Sequence, residues 1–223
     1  MDYNDKSTNY FSNIRFELIN LIEAGQRDLR VLEVGAAYGE TLFYLKSKGI
    51  ASHAVGIDIF YDKNNKQCYK EIDRFIFGNI EEIELSTFHN QFDIILLPDV
   101  LEHLIEPNAV LNKIKKCLNQ NGKIIVSMPN IRHYSAVYKI FIKGDFSYEE
   151  SGIFDYTHMR FYCKKNIITL LESSGYKILK QHSSINKYNG KSFSKILNLV
   201  TFRVFEEFFS YQYFFVATKN EKI

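Results

Sequence analysis

The chain has 223 residues, 46% of them hydrophobic and 24% charged, with a formal net charge of +2. That is enough chain for one sizeable core and too little for two full-size domains, and a charge so near balance supplies no field to draw the molecule onto nucleic acid. Three cysteines without a Cys-x-x-Cys pair (Cys68, Cys117, Cys163) argue against a disulfide framework or a zinc site; with no apolar leader and no run of membrane-spanning length, a cytoplasmic protein with no membrane span and no metal is expected.

In chain order, Phe11, Ile14, Leu18, Leu21 and Ile22 recur at helical spacing and predict a leading helix over 10–24, stopped at Gly25. Strands are predicted at 30–34, 53–58, 74–77, 92–97 and 123–128, and helices at 40–48 and 108–120, the second stopped by Asn121-Gly122. The polar stretch 59–73 carries no assignment. A helix at 164–174 ending at Gly175, a strand at 176–184, a helix at 193–209 and a terminal strand at 211–218 complete the series. This alternation predicts an α/β, Rossmann-like, seven-stranded and mostly parallel sheet with helices on both faces and an antiparallel last strand beside the sixth. No repeat or linker interrupts it, so one domain over 1–223 is expected. The long excursion at about 130–163 reads as a substrate cap.

Residues 31–39, Val-Leu-Glu-Val-Gly-Ala-Ala-Tyr-Gly, carry the chemistry. An apolar strand candidate ends in Gly35, Gly39 follows, and a helix-like segment starts at Glu40. In an open α/β sheet the crevice beyond the first strand takes nucleotides, and glycines there let the backbone approach a ligand. Asp58 closes the next apolar segment, where a carboxylate can accept from both hydroxyls of a ribose. A nucleoside-containing cofactor is therefore expected. A dinucleotide fingerprint needs its last glycine five residues after the first, but Gly39 falls at plus four and the next position is Glu40. A negative charge there is unsuited to a pyrophosphate, which disfavours an NAD-dependent oxidoreductase.

The pattern Glu33-x-Gly35-x-Ala37-x-Gly39 resembles motif I of the class I S-adenosylmethionine-dependent methyltransferases, usually (Asp/Glu)-x-Gly-x-Gly-x-Gly, with Ala37 replacing the middle glycine. Further segments resemble the same family in order and spacing. Gly78-Asn79-Ile80-Glu81 matches its Gly-Asp-Ile-Glu, with Asn79 for Asp, and Val100-Leu101-Glu102-His103-Leu104 matches the end of its fourth-strand signature. Leu118 to Asn130 matches the segment that ends in Pro-Asn, although Leu-Asn-Gln-Asn-Gly stands where Leu-x-Pro-Gly-Gly is usual. Asp155-x-Thr157-His158-x-Arg160-Phe161 resembles the D-x-T-H-x-R-(F/W) box of one subgroup, and the resemblance as a whole covers about residues 28–180.

It implies S-adenosyl-L-methionine as cofactor. Gly35, Ala37 and Gly39 would pass under the methionyl part, with Glu33 near its ammonium or fixing the loop, unless the glycines serve packing alone. Asp58, with Ile59 beside it, would hold the ribose diol. Asn79 and Ile80 would flank adenine, although Asn is also common in plain turns. Pro98, Asp99 and Val100 would lie near the sulfonium, which Tyr38 could face as an aromatic wall.

On the acceptor side an alcohol must lose its proton, work most often done by histidine. His158, then His103, are the candidate catalytic residues. Asn130, His133, Tyr134, Asp155 and Arg160 are the candidate acceptor-binding residues, with an Asp155–Arg160 loop anchor as the plainer alternative. The expected function is methyl transfer to a small polar acceptor, an oxygen of a sugar or nucleotide-sugar-like metabolite. Alternatives are a quinone-precursor or other small-molecule O/N-methyltransferase, and a methyltransferase-like binding module without catalysis. Oligomeric state is not legible.

Overall fold

Val31, Leu32 and Val34 of β1 (Leu29–Val34) are buried, as a strand covered on both faces requires. The structure is a computed structural model that describes residues 12–187, 198, 200 and 204–220. Beside β1 run β2 (Ala51–Asp58) and β4 (Phe92–Pro98), flanked by β3 (Arg74–Phe77) and β5 (Leu118–Pro129), all parallel. The last two strands, β6 (Tyr176–Ser183) and β7 (Gln212–Lys219), complete a seven-stranded sheet of order β3-β2-β1-β4-β5-β7-β6. The expected sheet is present: β7 lies antiparallel beside β6 and also separates it from β5.

Alternation along β1 sends side chains to two apolar layers. Leu32 and Val34 join the layer with Val110, Leu111 and Ile114 of α3 (Pro107–Lys115) and Ile167 and Leu171 of α5 (Lys164–Ser173). Val31 joins the other, with Leu18 of α1 (Phe16–Ile19) and Leu42 and Leu45 of α2 (Glu40–Ser47). Glu33 has the parity of Val31 and so faces the α1 and α2 side. The chain leaves β1 toward β2 and β3, then returns to place β4 on β1's other edge. The crevice at the carboxyl ends of β1 and β4 is thus the topological switch point, where ligands of such sheets bind.

Three expectations change. Among the described residues the leading helix is only Phe16–Ile19, because the Arg15 amide donates to Thr41 Oγ1 and its side chain reaches toward Asp99 instead of continuing a helical face. Residues 1–11 lie outside the described residues. Asn121-Gly122 does not stop a helix: α3 ends at Lys115 and β5 already runs from Leu118. A Cβ at Gly122 would meet the Phe92 carbonyl oxygen at 2.9 Å, so the glycine serves close approach of two strands where their register shifts. Of the helix expected over 193–209, Glu206–Phe209 forms α6, while most of the rest lies outside the described residues.

The unassigned stretch 59–73 carries a short 3-10 turn, Lys66–Cys68. In the 130–163 excursion, α4 (Tyr134–Val137) runs into a π-helical turn, Tyr138–Ile142. No helix among the described residues is long and apolar enough to cross a membrane.

Candidate cofactor and acceptor pocket

A cavity of about 540 Å³ opens at the switch point. Its floor is the loop that follows β1. Gly35 (φ 76°), Ala37 (φ 50°) and Gly39 (φ 84°) all take left-handed backbone, which turns the chain sharply from strand into α2. The amides of Gly35 and Ala36 donate to the Ile57 carbonyl at 2.8 and 3.1 Å, and the Ala37 amide donates to Asp58 Oδ2 at 2.7 Å. A Cβ on Gly35 would lie 2.9 Å from Val100 Cγ2, so only glycine fits this floor. Gly39 serves packing: it begins α2 outside the cavity lining, and a Cβ there would strike the Phe75 ring at 2.7 Å.

Carboxylates surround the loop. Asp58 accepts the Phe60 amide at 2.9 Å as well as that of Ala37, yet burial keeps its carboxyl above the usual range. A carboxylate has about four acceptor positions, so these two bonds leave capacity toward the cavity that Asp58 lines. Burial pushes Glu33 up to about 8, against the pull of the Arg15 guanidinium, and its Oε2 has no hydrogen-bond partner among the described residues. Such an orphaned acceptor is what a ligand ammonium would satisfy. Asp99, also in left-handed backbone (φ 54°), pairs with Arg15 and accepts from Ser127 Oγ at 2.7 Å and from Gln212. Burial opposes its ionisation, but these partners prevail and hold its carboxyl below the ordinary value.

At the end where the sequence reading expects adenine, Ile59, Asn79 and Ile80 line the cavity. The Asn79 side-chain oxygen accepts the Glu81 amide at 3.0 Å, the plain-turn geometry weighed from the sequence. Lys113 of α3 fixes this wall by donating to the carbonyls of Ile80, Glu81 and Ile83, each at 2.9 Å. Pro98, Asp99 and Val100 close the middle of the cavity. Tyr38 does not: its ring is buried outside the lining, its hydroxyl donates to Asp62 at 2.8 Å, and its edge meets Tyr69. The Asp62 bond and the Tyr69 contact hold the ring against the 59–73 stretch instead.

The far end gathers Glu102, His103, Asp155, His158, Met159 and Gln212. A short 3-10 turn, Leu101–His103, presents the first two, and the 130–163 excursion presents the next three. Because a carbonyl only accepts, Nδ1 of His103 donates to the Thr157 carbonyl (3.1 Å), and Nδ1 of His158 to that of Ile153 (2.9 Å). The two rings meet edge to face, their centroids 4.7 Å apart. Burial, reinforced by His158, lowers His103 to about 4, so its imidazole is neutral at physiological pH. Glu102 is wholly buried, and burial together with Asp99 raises its carboxyl well above the usual range.

The remaining acceptor candidates do structural work outside the lining. Asn130 donates to the carbonyls of Glu207 (2.6 Å) and Ser210 (2.8 Å). His133 caps α4, with Nδ1 2.8 Å from Ser135 Oγ, and Tyr134 is nearly half exposed beside it. Arg160 donates to the carbonyls of Leu104 and Ile105, while the amides of Met159 and Arg160 donate to that of Glu102. The guanidinium thus straps the 130–163 excursion to the loop after β4, and Asp155 lines the cavity while its Oδ1 accepts from the Thr157 amide and hydroxyl. Sequence reasoning missed Arg15, Thr41, Glu102 and Gln212 as lining residues. Only Glu102 had a signal, its place beside His103 in the Val-Leu-Glu-His-Leu segment.

Solved structures share this fold. The chain matches an S-adenosylmethionine-dependent methyltransferase of Archaeoglobus fulgidus with a TM-score of 0.63 at 19% identity, covering 96% of this chain and 95% of that one. It matches another from Mesorhizobium loti with a TM-score of 0.62 at 12% identity, covering 96% and 98%. No curated protein matches by sequence. The family model described as a methyltransferase domain matches residues 8–181, most of the chain and all of the loop, carboxylates and histidines described above. The chain therefore belongs to the methyltransferase domain family, an enzyme that uses S-adenosyl-L-methionine as its cofactor.

Proposed function

We propose that the enzyme methylates an oxygen of a small, polar, sugar-like acceptor, docked at the far end of the cavity under a cap formed by about residues 130–163. The supporting observation is the lining of that end. Glu102, His103, Asp155, His158 and Gln212 converge there, whereas Met159, Tyr211 and Ile105 supply apolar contact. Within this end the Glu102 carboxylate has no hydrogen-bond partner among the described residues, and burying it so costs free energy unless a ligand satisfies it. A quinone precursor would call for a more apolar mouth.

When bound, S-adenosylmethionine would supply an electrophilic methyl group: its C–S bond would break to leave a neutral thioether as the acceptor oxygen bonds to the methyl carbon and gives up its proton to a base. The Gly35 floor, Glu33 and Asp58 would hold and orient the cofactor, Glu33 meeting its ammonium and Asp58 its ribose. The imidazole pair of His158 and His103 marks where the acceptor hydroxyl is activated. Arg160 acts on the reaction only by holding the cap against the β4 loop. Much of the acceleration comes from this fixed arrangement of two reactants.

The test is methyl transfer from isotope-labelled cofactor to matched panels of sugars, nucleotide sugars, catechols and amines, with products located by mass spectrometry. O-Methylation of the sugar panel supports the proposal. Turnover confined to catechols or amines would replace the acceptor, and cofactor binding without turnover of any panel would favour a binding module.

A further inference from the structure

We propose that Glu102, His103 and His158 form a binding site for a divalent first-row transition ion at the acceptor end of the cavity. The inference rests on the methyltransferase reading and specifies how that end acts on the acceptor. One donor atom from each residue lies within 4.8 Å of the other two. Glu102 is the decisive member. Its side chain is wholly buried, it lines the cavity, and neither carboxylate oxygen has a hydrogen-bond partner among the described residues. Its Oε1 stands 4.0 Å from His158 Nε2. Carboxylates buried this deeply are otherwise paired, hydrogen-bonded or coordinated to metal.

The imidazoles are already set for coordination. Each donates its Nδ1–H to a backbone carbonyl, His103 to Thr157 and His158 to Ile153, which makes Nε2 the lone-pair nitrogen of both rings. A metal-binding histidine almost always donates its other N–H in this way, which fixes its tautomer and orientation. The carbonyls come from one short cap segment, so the cap itself orients both rings.

Two imidazoles and one carboxylate suit Zn²⁺, Co²⁺ or Mn²⁺ better than Mg²⁺ or Ca²⁺, which favour oxygen shells. Metal–ligand bonds of about 2.0–2.2 Å put tetrahedral donors roughly 3.3–3.6 Å apart, against 4.0 Å between Glu102 Oε1 and His158 Nε2 and at most 4.8 Å across the three donors. Three protein ligands leave a position open toward the cavity. An acceptor hydroxyl bound there is held in place and made more acidic, so the histidines act on the acceptor through the ion.

The test takes untagged full-length protein dialysed against a chelator and titrates it with Co²⁺. Binding of one equivalent is expected, with the visible absorption of four- or five-coordinate Co²⁺, and Zn²⁺ should displace it. Glu102→Gln, His103→Ala and His158→Ala should each weaken Co²⁺ binding by roughly tenfold or more. Their S-adenosylmethionine affinity should stay near wild type, which reports that they are folded. Absence of stoichiometric Co²⁺ binding in the wild type, or binding undiminished in the three variants, overturns the site. Methyl transfer by protein that binds no Co²⁺ removes the ion alone and leaves the methyltransferase reading intact. Failure of wild-type protein to bind S-adenosylmethionine would strike that reading instead.

Discussion

The backbone amide of Ala37 donates to Oδ2 of Asp58 at 2.7 Å, which ties the glycine loop after β1 to the end of β2. One carboxylate thus holds the cofactor loop from below and faces the cavity from the side. Two motifs twenty-one residues apart in the chain become one binding surface.

Asp58→Ala should therefore act twice. Loss of a charged hydrogen bond to the ribose is expected to weaken cofactor binding about ten- to a hundredfold, roughly 1.5–3 kcal/mol. Loss of the acceptor for Ala37 and Phe60 should also lower the thermal midpoint. Calorimetry on the folded variant checks the first effect, and unchanged affinity would remove the ribose assignment.

The loop backbone yields an opposed pair of predictions. Ala37 holds φ 50°, where a side chain costs about 1–2 kcal/mol, so Ala37→Gly should be neutral to stabilising despite the extra freedom of glycine in the unfolded chain. Gly35→Val should abolish cofactor binding and also destabilise the protein, because φ is 76° and its Cβ would lie 2.9 Å from Val100 Cγ2. Thermal melts of both variants decide. A Gly35→Val protein with wild-type stability would contradict the close contact.

Glu33 makes stability and binding depend on pH. Burial raises its folded-state carboxyl to about 8, above the unfolded value, so the native state holds the proton more tightly. Stability should accordingly fall as pH rises from the ordinary carboxylate range through about 8, and Glu33→Gln should flatten part of that slope. The slope will not vanish, since Asp58 and Glu102 are shifted in the same direction. If the methionyl ammonium meets Glu33, cofactor binding near neutral pH should release a proton. Calorimetry in buffers of different ionisation enthalpy would detect it, and an identical release in Glu33→Gln would count against the contact.

His158→Ala should lower turnover by about two to four orders of magnitude while leaving cofactor affinity nearly unchanged. Its ring lies at the acceptor end, and its Nδ1–H is already used on the Ile153 carbonyl. A variant that instead melts early and keeps most of its turnover would reduce His158 to a cap anchor. Arg160→Ala provides the comparison, since its guanidinium lies outside the lining and loss of its bonds to Leu104 and Ile105 should loosen the 130–163 segment while leaving the histidines in place.

By itself the sequence determined the alternation of strands and helices, the glycine loop, the carboxylate ending β2 and the family. These are local signals: periodicity, turn-forming residues and fixed spacings survive without any knowledge of distant contacts. Only the tertiary structure decided which polar residues share the cavity. Arg15, Glu33 and Asp99 meet although they stand far apart in the chain, and Gln212 of β7 reaches Asp99 because β7 inserts beside β5. The D-x-T-H-x-R box shows the same limit. Its residue types marked a polar site, but hydrogen-bond partners divided the work, His158 to the cavity and Arg160 to the carbonyls of the β4 loop. A side chain's chemistry is written in its type, whereas its partner is set by which distant segments the sheet order brings together, and that depends on the packing of the chain.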